Sequence, residues 1–453
     1  MNAVPIELIT VVMFASLLIL LLMGLPVAFT CGGLAVMFML VAAWQGWLPM
    51  GFMNMLAVRT YGLMYQYLLF AIPLFIFLAS MLERAGIVEE MYDAFQKWTA
   101  PLPGGLASAT VLASTLLAAV VGIIGAAVVT MGLIALPAML KKKYDRRLAC
   151  GAVMAGGTLG ILIPPSILFI MYALVAGESC GKLFAGGILP GFVLSALYCT
   201  YITIRCTINP ELGPPLTKEE RKQITWAIRF KGLLGIAFPA ILVFAVLGSI
   251  FLGIASITEA AAVGGFGAMV AAALKGKLTF DNLRVAITQT VKVTAMVLWV
   301  CFGAVALVTF YYGVGGEVFI RDLIWGFELG KYGTLAVIMV ILIVLGMFVD
   351  WVGILFLCVP IFLPIIIKLG FDRLWFGIIY NVNMQIAFLS PPFGYALFYL
   401  KGVAPPEISM WEIIKSVLPF LGLQVIGLAI CIAFPPIALI IPNWVFAPGR
   451  FLR

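Results

Sequence analysis

Two pairs of adjacent prolines stand where an apolar chain has least use for them. Pro164-Pro165 is central to "LGILIPPSILF" (159–169), and Pro391-Pro392 to "AFLSPPFGYALFY" (387–399). Proline removes a backbone donor and holds the residue before it in an extended conformation. Neighbouring carbonyls then lose their helical partners and can face a cation. A third feature is Asp350, the one charge in "TLAVIMVILIVLGMFVDWVGILFLCVPIFLP" (334–364), following Gly346 and preceding Gly353. A carboxylate in an apolar span is costly and is a functional candidate by default. The competing reading is a structural hydrogen bond at a hairpin tip. Thr258 and Glu259 of "ITEAAA" are also polar within an apolar segment, and a hydrogen bond pinning neighbouring spans accounts for them at least as well.

Other chemistries are poorly served. The chain has no histidine, which removes the commonest metal ligand and the usual general base. Its eight cysteines form no CxxC pair and sit mostly in apolar runs, as packing residues do. No P-loop and no paired acidic motif is present. The residues speak against an enzyme.

The elements that must carry these residues are read from composition. Of 453 residues, 64% are hydrophobic and 10% charged, with a mean hydropathy of +1.18; a soluble domain carries roughly 25% charged residues. Apolar stretches of membrane-spanning length recur, among them 6–23, 183–204, 232–252 and 285–311. They are continuous, not alternating, which excludes a β-barrel. The first is expected to be a span and not a removed signal peptide. The net charge of +8 is gathered in short connections, "KKKYDRR" (141–147), 217–231 and "KGKLTFDNLR" (275–284). These are expected in the cytoplasm, with the segments around Arg59, Lys182, Arg321 and Lys368 outside. The charge orients the protein and implies no nucleic-acid partner.

An internal repeat relates the two proline pairs. "LPAMLKKKYDRRL" (136–148) and "LPIIIKLGFDRLW" (363–375) share the Leu-Pro, the lysine four residues after the proline and the aromatic-Asp-Arg, at an offset of 227. Carried forward, that offset places Pro164-Pro165 on Pro391-Pro392 and Tyr172 on Tyr399. Residues 141–147 hold five basic groups against one acidic, and 368–373 two against one. Copies on opposite sides of a bilayer would differ in this way. The fold expected is an all-α polytopic membrane protein of two inverted-topology repeats with re-entrant hairpins and broken helices. Transporters of that plan place their sites near the midplane, where non-helical backbone is tolerated if it lines a cavity. The first repeat spans 1–204, with a hairpin over 104–137 and a broken helix over 148–176. A polar linker covers 205–231, with Thr217 and Glu220 as a capping box. The second repeat spans 232–453, with a hairpin over 334–364 and a broken helix over 374–400.

The stretches "AGGTLGILIPPSILFIMYAL", "LFAGGILPGFVLS", "GIASITEAAAVGG" and "NVNMQIAFLSPPFGYALF" resemble the large membrane subunit (DctM-like permease) of TRAP (tripartite ATP-independent periplasmic) transporters, over essentially the whole chain. The resemblance implies a multi-pass protein of the bacterial inner membrane that imports a small organic anion, of carboxylate or sulfonate type. The import would be coupled to sodium through an elevator movement, with Na+ the co-transported ion and no organic cofactor. It implies two partners, a small four-helix membrane subunit and a periplasmic substrate-binding protein. A stand-alone anion:sodium symporter, needing no binding protein, is the alternative. The resemblance places a first sodium site at Gly122, Gly125, Gly160, Leu162 and Pro165, and a second at Gly346, Asp350, Ala387, Ser390 and Phe393. It places the substrate near Thr158, Ser166, Asn381, Asn383 and Gln385. The first hairpin tip, "GIIGAAVVTMG", lacks the serines many relatives carry, leaving Thr130 as its nearest hydroxyl, and Ala387 stands where the family has glycine.

Overall fold

The computed structural model describes residues 5–122, 124–215, 226–326 and 328–447, and among them every regular element is helical. Nine of the described helices are long and apolar enough to cross a membrane. The Thr217–Glu220 capping box lies outside the described residues.

A first set comprises α1 (Ile6–Leu22), α2 (Val27–Trp44), α3 (Met53–Met64), α4 (Ala71–Arg84) and α5 (Ile87–Thr99). After it come the hairpin α6 (Gly105–Val121) and α7 (Ile124–Lys141), the broken helix α8 (Arg146–Thr158) and α9 (Ile167–Ala176), and α10 (Cys180–Ile208). The second half opens with α11 (Trp226–Phe251), α12 (Ile257–Leu274), α13 (Phe280–Gly313) and α14 (Gly316–Gly326). Its hairpin is α15 (Gly330–Gly346) and α16 (Trp351–Lys368), its broken helix α17 (Arg373–Leu389) and α18 (Tyr395–Val403). The last helices are α19 (Met410–Ala433) and α20 (Pro436–Val445). The expected linker is shorter than the sequence suggests, because its first four residues still belong to α10 and its last six already belong to α11.

The repeated Asp-Arg has a local cause. Asp145 accepts a hydrogen bond from the Leu148 amide (2.9 Å), and Asp372 accepts one from the Trp375 amide (2.8 Å). Each carboxylate satisfies an orphan donor at the start of its broken helix and complements the helix dipole. Asp145→Ala or Asp372→Ala is expected to cost about 1 kcal/mol of stability, read as a lower unfolding temperature in detergent.

The two broken helices run antiparallel. Arg146, at the start of α8, donates to the Glu407 carbonyl (3.4 Å), just beyond the end of α18, and faces Glu412 in the first turn of α19 at 3.9 Å. At the other end, Tyr172 of α9 donates to the Arg373 carbonyl at the start of α17 (3.3 Å). The same order of elements with reversed direction is an inverted repeat.

Side-chain contacts also gather the basic connections. Leu106 N–H donates to the Tyr144 hydroxyl (3.2 Å), Trp98 Nε1 donates to the Arg229 carbonyl (3.2 Å), and Lys275 pairs with Glu90. Since α5 leads directly into α6, residues 141–147, the start of α11 and the α12–α13 connection lie at one end of the molecule. One basic end is the arrangement the positive-inside rule requires.

Helices α2, α4, α12 and α13 pack together as one group. The hairpins and broken helices, with α10 and α19, form the other, and α13 touches it along α16.

Candidate functional site

The hairpins end against the breaks. α6 stops at Gly122, whose φ of +62° suits glycine and whose amide donates to the Ala118 carbonyl (3.2 Å). A Cβ on Gly122 would stand 2.7 Å from the Pro165 carbonyl oxygen, so this tip reaches the first proline pair at backbone contact. In the second half a Cβ on Gly346 would stand 2.3 Å from that of Ala387, so the end of α15 lies directly on α17. The breaks also match. A 3-10 turn over Leu159–Ile161 leads into Pro164-Pro165, Ser390 is extended before Pro391-Pro392, and both Pro-Pro bonds are cis.

All four elements meet at one cavity of about 60 Å³. Gly122 and Gly125 come from the first tip, Asp350 and Trp351 from the second, Ile161 and Ile167 from the first break, and Phe388 and Tyr395 from either side of the second. Val293, Met296 and Val297 of α13 close it. Ile124, Ile167, Trp351 and Tyr395 are the first residues of α7, α9, α16 and α18. Four helix N-termini therefore surround the cavity, those of α9 and α16 capped in part by Ser166 and Asp350, and such ends favour an anion.

A larger cavity of about 430 Å³ adjoins it and shares Gly125, Val293, Met296 and Tyr399 with it. Its walls are Ser80, Glu83 and Arg84 of α4 and Val285 and Gln289 of α13. Arg84 and Gln289 are exposed, so the path reaches solvent at the end of α4 and the start of α13. That is the basic end, beside Lys275.

Each expected ligand has a definite place. At the first site Pro165 faces Gly122, whereas Gly125 faces the Tyr399 ring, 3.0 Å from its Cβ position. The Leu162 carbonyl points elsewhere, lying 2.5 Å from the Cβ position of Gly187 on α10. Gly160 is buried in the turn before the prolines. Thr130 is not a tip hydroxyl, because its Oγ1 donates to Glu83 Oε1 of α4 at 2.6 Å. At the second site Asp350 caps α16, accepting from the Val352 amide (3.1 Å), and also lines the cavity. The structural reading, a cap at the hairpin tip, is therefore met, and the same carboxylate also stands on the cavity wall. Ser390 donates to the Ile386 carbonyl (2.7 Å), and Phe393 packs between Phe348 and Phe398.

The five expected substrate residues are all fully buried, and none lines either cavity. Thr158 accepts from Gln424 Nε2 of α19 (3.2 Å), Ser166 caps α9 and donates to the Ile161 carbonyl, and Asn383 donates to the Met339 carbonyl of α15 (3.2 Å). Asn381 donates to Gly377 of its own helix (2.7 Å). The side chain of Gln385, and the amide oxygens of both asparagines, have no partner among the described residues. The reason for the difference is rotational: Thr158 and Asn383 turn to neighbouring helices, Ser166 and Asn381 bond their own segment, and the cavity receives Trp351, Tyr395 and Tyr399 instead. Of these only Tyr399 carried a signal, its register with Tyr172. Glu259 forms a capping box with Ser256 (2.7 and 3.3 Å), so the "ITEAAA" motif starts α12.

Comparison with known proteins agrees with this architecture. The chain is 31% identical over 393 residues to the C4-dicarboxylate TRAP transporter large permease protein DctM of Pseudomonas aeruginosa, covering 86% of this chain and 89% of that one. It is 30% identical to the isethionate TRAP transporter permease protein DctMQ of Oleidesulfovibrio alaskensis, over 94% of this chain and 65% of that protein. The solved Alcanivorax borkumensis YdaH transporter shares the fold with a TM-score of 0.57, covering 86% of this chain and 87% of that one at 16% identity. The relatives are permease components and not enzymes, and with the nine apolar helices they make this a multi-pass protein of the bacterial inner membrane. Residues 14–437 match the model of the tripartite ATP-independent periplasmic transporter, DctM component, and the chain belongs to that family.

Proposed function

We propose that the chain is the permease of a sodium-coupled importer that receives a small organic anion from a periplasmic binding protein and releases it to the cytoplasm. The observation that carries this reading is the meeting of two hairpin tips and two broken helices at one cavity ringed by four helix N-termini. Those N-termini supply positive potential without a basic side chain. Sodium, a hard cation, would take oxygens at each tip, from the Pro165 carbonyl on one side and from Asp350 and the Ser390 segment on the other. The hairpins and broken helices would move as one body against α2, α4, α12 and α13, an elevator step. The wider cavity at the basic end supports reading the present arrangement as the one that releases cargo inward. A small membrane subunit would complete the assembly. Two matched relatives are named for C4-dicarboxylate and isethionate, which are both organic anions.

The test is thermal unfolding of the purified chain against sodium, with potassium or choline holding ionic strength constant. A ligand of the folded state alone stabilises by mass action, about 2.7 kcal/mol at a hundredfold excess over Kd. A saturable rise specific to sodium is expected. Equal curves in sodium and potassium would remove the sodium coupling from this proposal.

A further inference from the structure

The lining of the central cavity also bears on what the anion looks like. Its ionisable side chains are one carboxylate, Asp350, and the phenols of Tyr395 and Tyr399, with no arginine or lysine among them. The nearest cation along the path, Arg84, lines only the outer cavity. One carboxylate of a cargo can be met by the helix N-termini and by sodium. The sodium proposed at the second tip is already balanced by Asp350, so a second carboxylate would enter a low-dielectric space with no unbalanced cation to face. Hydroxyl groups fare little better. The remaining walls include Ile161, Ile167, Leu168, Val293 and Val297, and a buried hydroxyl against such walls loses its hydrogen bonds to water without replacement. Flat apolar groups are served well, because Trp351, Phe388, Tyr395 and Tyr399 offer ring surfaces from three elements. Tyr399 is still 39% exposed, so its ring surface is free to be covered.

We infer that the cargo is a monocarboxylate with a flat apolar body, an aryl carboxylate, and that Tyr395, Tyr399 and Trp351 select it over dicarboxylates and sugar acids. The inference rests on the proposal that this cavity carries the anion. Ring contacts act on the body of the cargo, and the helix N-termini act on its charge. Removing a ring therefore changes selectivity between anions as well as affinity.

Isothermal titration calorimetry of the full chain in detergent, with sodium chloride in excess, compares phenylacetate, succinate, gluconate and glycine betaine. Phenylacetate is expected to bind at least about tenfold more tightly than the others. Tyr399→Ala should weaken phenylacetate by about tenfold and leave the weak succinate signal unchanged, while Tyr399→Phe, which keeps the ring, should stay within about threefold of the parent. The phenylalanine variant also separates lost ring contact from lost folding and from partition of the aryl acid into micelles. Tighter binding of succinate or gluconate would overturn the inference while leaving an anion permease standing. Tightest binding of glycine betaine would overturn it together with the anionic cargo, and no phenylacetate binding at all would overturn it as well. Failure of the sodium coupling is read separately, as the missing sodium-specific rise in unfolding temperature.

Discussion

Asp350→Ala is expected to weaken sodium binding by on the order of 100-fold while costing the fold only about 1 kcal/mol. The two effects come from two roles of one side chain. As a cap, the carboxylate accepts a hydrogen bond from the Val352 amide at the start of α16, and losing such a cap costs about 1 kcal/mol. As a charge, it stands at the wall of the central cavity, where a cation about 4 Å away would interact with it by roughly 4 kcal/mol at an effective dielectric constant near 20. Even half of that is more than a factor of ten. Asp350→Asn separates the roles, because its carbonyl oxygen can still cap α16 while the charge is gone. The asparagine variant should therefore keep the parental unfolding temperature without sodium and lose the sodium-dependent rise. Sodium titrations of unfolding temperature on both variants check this, with membrane abundance measured alongside. Parental sodium affinity in Asp350→Asn would reduce Asp350 to a cap.

Much of the architecture was legible because it is written in residues with local consequences. The Asp-Arg pairs mark helix starts, the proline pairs mark breaks, and their common offset relates the halves before any contact is known. The hairpins, expected over 104–137 and 334–364, run from Gly105 to Lys141 and from Gly330 to Lys368, a difference of one to four residues at each end. The cavity was not legible in the same way. Ile161, Phe388 and Met296 look like any core residue in an apolar sequence, since periodicity is weak where every face of a helix is buried or meets lipid. Asn381, Asn383 and Gln385 drew attention as polar groups in an apolar helix, yet their rotation about α17 is set by α15 and the helices on its other face. The contact of Thr130 with Glu83 joins residues 47 apart and belongs wholly to tertiary packing. Tyr399 lay in between: register with Tyr172 identified it as a repeated position, and only the fold shows that one copy is fully buried while the other faces the open path.

The glycine at the first tip gives the second large effect. Gly122 and Gly177 end helices in the same way, with φ of +62° and +64° and an amide bonded to the carbonyl four residues back. An alanine at either position bears the left-handed strain of an L-residue, about 1–2 kcal/mol. Their surroundings differ. A Cβ at Gly177 would meet nothing within 4 Å, whereas at Gly122 it would meet the Pro165 carbonyl oxygen at 2.7 Å. That oxygen belongs to backbone in the break and cannot swing aside as a side chain end can, so the tip itself must withdraw. Gly177→Ala should therefore transport within a few fold of the parent. Gly122→Ala should lose on the order of 100-fold in uptake, equivalent to about 3 kcal/mol in the rate-limiting step, at similar membrane abundance. Sodium-driven uptake in cells carrying the whole assembly, normalised to abundance, makes the comparison. Equal losses in both variants would assign the effect to backbone strain alone. Normal uptake in Gly122→Ala would show that the tip can part from the first proline pair without cost to the cycle.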